Sequence, residues 1–476
     1  MLSPPPPQRS HALDALRGLA ILAMVLSGVI PFNQSLPAWM YHAQVPPPTH
    51  KFNPNLPGLT WVDLVFPLFL FALGAAIPLA QSRYLAKGWK PKRLILGILK
   101  RGLLLSAFAI FLQHVRPLTI DPNPGLHKWW IALLGFVILF VMYTRWPIAW
   151  PPQLRTGLTA VGWIAGVILM VSMRYQDGRG FTVDRQDIIL ILLANMVVFG
   201  SIAWLFTRDR PWVRLGILGL LLALHVSATE PGWIATVWSF SPAPWLFKFD
   251  YLKYLFIVIP GTFVGDRLQQ WQTELGQTER AGDRWTWNRN RIAAIVGLLV
   301  LVESIVLIGL QSRWVAGTTF LCLVLCSAGY RCFDCPKHPT EKLATTLYLW
   351  GIYCLVLGLA WEPFEGGIKK DSATLSYFFI TTGLSIFLLM IFTLILEWSQ
   401  TSNRFNLLLD NGRNPMIAYV AFGNLVWPIL SLLGWHQAIE DLHLAPWWRF
   451  LVGVGYTLIV AAIVSIFSRL KLYWRT

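Results

Sequence analysis

Charged residues are scarce in this chain. They make up 13% of its 476 residues, against 55% that are hydrophobic, and this shortage excludes a soluble multidomain enzyme, whose packed domains would need polar surfaces. Cysteine is scarcer still. Of five cysteines, Cys322 and Cys354 sit inside apolar runs, so no disulfide framework is expected. Cys332-Phe-Asp-Cys335 is a lone C-x-x-C with no second ligand pair at zinc-like spacing, and no metal site is expected. A glycine-rich phosphate loop, a G-x-S-x-G elbow and an H-E-x-x-H pair are all missing, which removes the nucleotide-binding, serine hydrolase and zincin classes. A cleavable signal peptide is not expected either, because the first apolar run carries Asp14 and Arg17 at its start and lacks a small-residue cleavage site.

What the chain has is hydrophobic length. With a mean hydropathy of +0.54, apolar runs of about twenty residues recur from end to end, each long enough to cross a hydrocarbon core of about 30 Å. They predict an all-α polytopic transmembrane helix bundle of about 11–14 spans. The first three centre on 14–32, 60–80 and 95–113, and the last two on 414–434 and 448–468. Residues 1–12, with Pro4 to Pro7 in a row, read as a cytoplasmic proline-rich leader. Residues 13–476 then form one membrane domain, with an external loop at 33–59 and cytoplasmic loops at 82–94 and 269–290. The last of these is the longest polar stretch, of mixed charge, and reads as a connecting loop rather than a folded module.

The net charge is +16. In a soluble protein such a surplus suggests nucleic acid, but here the basic residues lie in short loops, where the positive-inside rule and anionic lipid headgroups account for them. The loops that alternate with 33–59 hold about 26 Lys and Arg, and the opposite set about 12. Both termini are therefore expected to be cytoplasmic and the 33–59 loop external. An integral protein of a bacterial inner membrane is the expected location.

Ionisable side chains within spans cost about 2.5–3.5 kcal/mol each on insertion scales, so each calls for a partner or a task. Asp14 and Arg17 lie three apart on one helical face, where they can neutralise each other and pin the helix end, or serve a functional role. Asp63 opens the run Gly58 to Ala80, where a carboxylate complements the helix dipole. The proline-broken loop before it, Tyr41 to Pro57, carries two histidines. A histidine oriented by a buried carboxylate can act as general base or nucleophile. His50 is the nearer in sequence, thirteen residues before Asp63, and is the first candidate; His42, among aromatic neighbours, is the alternative. Asp410, Arg413 and Asn414 cluster at the basic-side start of a late span. Glu303 and His225 read as hydrogen-bond partners inside the bundle. The basic run from Arg83 to Arg101 is a topology signal that also suits a phosphorylated donor.

Three segments resemble a known family. Leu13-Asp-Ala-Leu-Arg-Gly18, Gly58-Leu-Thr-Trp-Val-Asp-Leu-Val-Phe-Pro67 and Gly412-Arg-Asn-Pro-Met-Ile-Ala-Tyr419 are similar to blocks of the heparan-α-glucosaminide N-acetyltransferase family of membrane acetyltransferases and its bacterial relatives. The resemblance implies acyl-CoA-dependent N- or O-acetyl transfer, from cytoplasmic acetyl-CoA as co-substrate to an amino sugar or envelope glycan on the far side. No permanently bound cofactor is implied. The family's active histidine, carried over, falls on His50 with Asp63 orienting it, and Asp14, Arg17, Arg101 and Asn414 fall at the donor end. The chain departs from the family in two places: about three extra residues separate His50 from Gly58, and Gly28 stands where an asparagine is common. Besides acetyl-CoA, the glycan acceptor and membrane lipids, a homodimer is left open, and no nucleic acid is expected. The competing reading is a transporter or flippase of lipid-linked sugars, in which buried charges mark a path. A scaffold without activity is a third.

Overall fold

In this computed structural model, residues 10–32, 36–281, 285–399 and 402–476 are described. The proline run Pro4 to Pro7 and Asn33 to Ser35 of the external loop lie outside them. Helix α1 spans His11–Gly28, so it begins two residues earlier than the expected leader allows, because Ser10 caps it by accepting from the Leu13 amide at 3.3 Å. Then follow α2 (Trp61–Ala86), α3 (Pro91–Val115), α4 (Leu126–Tyr143), α5 (Pro152–Ser172), α6 (Ile188–Thr207), α7 (Pro211–Val226) and α8 (Leu255–Ala281). The second half holds α9 (Arg289–Gln311), α10 (Val315–Gly329), α11 (Pro339–Trp361), α12 (Leu375–Ser399), the short α13 (Asn406–Arg413), α14 (Pro415–Leu432) and α15 (Pro446–Arg469). Short helical turns decorate the loops.

Among the described residues, thirteen helices are long and apolar enough to cross a membrane. Helix α8 is not among them. Its first half is buried from Leu255 to Ile259, while its second half, Gln269 to Ala281, is the polar segment expected as a loop. That stretch is rich in Gln, Glu and Thr without proline, and the helix simply runs on through it. The α2–α3 connection is shorter than expected for the same reason, since the helices extend to Ala86 and resume at Pro91. Helix α8 lies parallel to α2. A Cβ on Gly74 would meet the Val258 carbonyl, one on Gly261 the Phe71 carbonyl, and one on Gly265 the Ala75 carbonyl. Lipid tails supply no hydrophobic drive between helices, so such small-residue contact is how two spans approach closely.

Helices α2 and α12 are buried along most of their length. Helices α5, α7 and α10 present exposed apolar side chains such as Val161, Ile164, Leu220 and Phe320, as lipid-facing spans do. The end of the chain returns to the start of the bundle: the Arg145 amide donates to the Tyr473 carbonyl and the Arg475 amide to the Tyr143 carbonyl, both at 2.9 Å. Ser10 and Arg475 border one cavity. Both ends of the described chain therefore lie at the same end of the bundle, its basic face. By the positive-inside rule that face is cytoplasmic.

This topology predicts that, in a variant stripped of the native cysteines, Phe52→Cys and Lys87→Cys are labelled by an impermeant maleimide from opposite sides of sealed vesicles. Labelling of both from one side would contradict it.

Candidate functional site

At the outer end of α2, Thr60 and Asp63 form a capping box, a local solution for the unpaired amides of a helix start. Asp63 is 2% exposed, and its carboxylate does more than cap. Oδ2 accepts from the Ala43 amide at 3.0 Å and the Thr60 amide at 3.2 Å. Oδ1 lies 2.7 Å from Nδ1 of His42. The Thr60 hydroxyl donates to the Tyr41 carbonyl at 2.8 Å, and the Tyr377 hydroxyl from α12 donates to the Asp63 carbonyl at 2.9 Å. A buried carboxylate so satisfied holds the external loop onto the helix.

The histidine on Asp63 is His42, not His50. Proximity in sequence favours His50, but the loop turns back at His50, whose φ is +47°, and its ring packs on Tyr41 and Phe32 with centroids 4.5 and 5.4 Å away. His42 instead precedes Ala43, whose amide is anchored on the same carboxylate. Its side chain is 34% exposed, so the ring is oriented at Nδ1 while Nε2 remains reachable. The tautomer that donates Nδ1–H to Asp63 leaves the Nε2 lone pair free for a proton or an acyl carbon.

Lys370, from the external loop between α11 and α12, places Nζ 3.2 Å from His42 Nδ1. Burial pushes its ammonium below the usual lysine range, and Asp63 and Asp371 pull it back up. Sequence reading missed this residue; the only signal was the Lys369-Lys370 pair on the face poor in basic residues.

At the other end of α2, a cavity of about 550 Å³ opens on the basic face. Arg17, Arg83, Arg101, Arg145 and Arg475 border it, with Asp14 as the acidic side chain among its walls, and Phe69, Leu73 and Ile98 forming apolar surface. Asp14 is shared between Arg17 at 3.2 Å and Arg413 at 3.7 Å. The surplus of guanidinium groups suits a ligand with several phosphates. A smaller apolar space shares the walls Phe69, Leu105 and Met416 and continues to Met24 and Phe66. Phe66 is three residues, about one turn, beyond Asp63. Tyr419 borders this deeper space, its hydroxyl donating at 2.7 Å to Asp187, which Arg116 also binds at 2.7 Å.

Of the residues expected at the donor end, Asp14, Arg17 and Arg101 line the cavity. Asn414 does not. It is fully buried, donates to the Leu472 carbonyl at 2.9 Å and accepts from the Trp474 amide at 3.2 Å, so its task is to fasten the 472–475 tail that carries Arg475. Gly28 is exposed at the outer end of α1 with open space about it.

Asp63→Ala strands the Ala43 and Thr60 amides and is expected to cost about 3–5 kcal/mol. A thermal melt in detergent should show a midpoint several degrees lower, with Asp63→Asn less affected; an unchanged melt for Asp63→Ala would deny the carboxylate its anchoring role.

No curated protein matches the chain. A family model does, across residues 9–268, more than half of the sequence and including both His42 and Asp63. Its description is a domain of unknown function, DUF5009, and the chain belongs to that family.

Proposed function

We propose that this protein is a transmembrane acetyltransferase, moving an acetyl group from acetyl-CoA at the basic, cytoplasmic face to an amino sugar or envelope glycan on the opposite face. The observation that carries this reading is the pairing of two sites at the ends of one helix: an arginine-rimmed cavity below, an imidazole held by a carboxylate above, and between them a small apolar space of about 40 Å³ that shares walls with the cavity. The resemblance of the three sequence blocks to membrane acetyltransferases points the same way. So does the chemistry of the donor, whose phosphates match the arginines.

In this reading the guanidinium groups hold the nucleotide end, and the thioester extends past Phe69 toward Phe66. His42 Nε2 takes the proton from the acceptor's amine or hydroxyl as its nitrogen or oxygen forms the new bond to the acetyl carbon. The carbon–sulfur bond breaks and the thiolate leaves toward the basic face. Asp63 fixes the ring and stabilises the imidazolium that forms. Alternatively, Nε2 first accepts the acetyl group and then yields it. The substrates meet without either crossing the membrane, and orientation supplies much of the rate.

One observation favours the rival reading, a flippase: α14 is interrupted by a π turn at Phe422–Val426, where the Asn424 side chain donates to the Val115 carbonyl at 2.9 Å. Interrupted helices are common in transporters, but there they recur in matched halves. Substrate flux without acetyl-CoA would support it.

With labelled acetyl-CoA and a panel of amino sugars and envelope glycans, His42→Ala should abolish transfer while His50→Ala retains it. Full activity in His42→Ala would overturn the assignment. Arg101→Ala and Arg145→Ala should each raise KM for acetyl-CoA by about tenfold, the value of one charge-assisted contact, with kcat little changed. An unaltered KM in both would remove the donor from this cavity.

A further inference from the structure

The external loop 362–374 is built to deliver one amine. Its Ile368 carbonyl accepts from the Gly58 amide at 2.8 Å. Gln44, two residues from His42, clasps Asp371 twice, accepting from its amide at 2.9 Å and donating to its carbonyl at 3.1 Å. The Glu365 carboxylate accepts from the Leu375 and Ser376 amides at 2.6 and 2.9 Å, fixing the loop to the start of α12. The loop bearing Lys370 and the loop bearing His42 are thus bonded to each other, and Lys370 Nζ ends 3.2 Å from His42 Nδ1.

That nitrogen is already committed, since it lies 2.7 Å from Asp63 Oδ1. A ring nitrogen carries at most one proton, and an ammonium has no lone pair to accept it. Lys370 therefore bears on His42 by its charge, not by a hydrogen bond to Nδ1. The other Asp63 oxygen is occupied by the Ala43 and Thr60 amides. One carboxylate faces two groups able to carry positive charge, and while Lys370 holds its proton a second charge on the imidazole is disfavoured.

We propose that Lys370 is a positioning residue for His42: its ammonium, 3.2 Å from Nδ1, opposes a second positive charge on the ring that Asp63 orients and so favours the form with Nε2 available. The groups facing Lys370 are His42 and Asp63 across the site and Asp371 on its own loop, and Tyr377 and Tyr254 stand behind them on α12 and the 249–254 turn. The inference rests on the acetyltransferase reading for its purpose, but its test needs no acetyl transfer.

The test uses the full chain in detergent and diethyl pyrocarbonate, which modifies neutral imidazole. Modification of the His42 peptide is followed by mass spectrometry from about pH 5.5 to 8.5, with the exposed His443 as an internal control. Lys370→Met should slow His42 modification about threefold near pH 7 and displace its pH profile upward by about one unit. Lys370→Arg, which keeps the cation, should retain the original profile, and His443 should not change in either. A Lys370→Met profile coincident with the wild type would overturn the proposal. So would an equal displacement in Lys370→Arg, which would assign the effect to packing. Labelled acetyl-CoA assays on the same preparations separate the two ideas: displaced modification without acetyl transfer by the wild type upholds Lys370 and refutes the enzyme reading.

Discussion

The bond between Asp63 and the chain around His42 is the constraint on which the outer half of this protein depends. A carboxylate at a membrane helix mouth is costly to bury unless its oxygens are filled. Here they are filled by the helix's own cap and by the loop that precedes it. The same contacts that make the charge tolerable fix a histidine whose far nitrogen stays reachable. Stability and the placement of the imidazole draw on one set of hydrogen bonds, so the loop needs no regular structure to be well defined.

A second consequence follows from the length of α2. Its 26 residues run about 39 Å at 1.5 Å per residue, enough to carry one end into the external loop and the other into the basic cavity. Helix α8 lies against it through glycine contacts and α12 buries it from another side, which makes α2 the rigid member between two polar sites. The flanking spans α5, α7 and α10 face outward and serve as the lipid boundary.

Much of this was legible in the sequence, for physical reasons that differ by feature. Span number and orientation follow from apolar length and the distribution of Lys and Arg, which the membrane imposes residue by residue. That Asp14, Arg17 and Arg101 belong together was legible because charges so near spans demand an explanation, and they do border one cavity. The choice between His50 and His42 was not legible, since it depends on where a proline-rich loop reverses, and sequence distance is a poor guide once the backbone turns back at His50. Asn414 matched a family block, yet its amide is committed to the chain's last turn. Lys370 lies more than three hundred residues from His42, a contact that only the packing of α12 on α2 creates. The polar stretch in α8 misled through composition: mixed charge describes a loop and a solvated helix end equally well.

The central claim is that two substrates meet from opposite faces at His42. The most direct measurement uses vesicles in which the protein's orientation is known, with labelled acetyl-CoA confined to one side and an amine acceptor to the other. The account predicts label on the acceptor only when acetyl-CoA is on the side of Arg101 and the acceptor on the side of His42. Transfer that is equally efficient with the two sides exchanged, or label that stays with an acceptor on the coenzyme's own side, would contradict it.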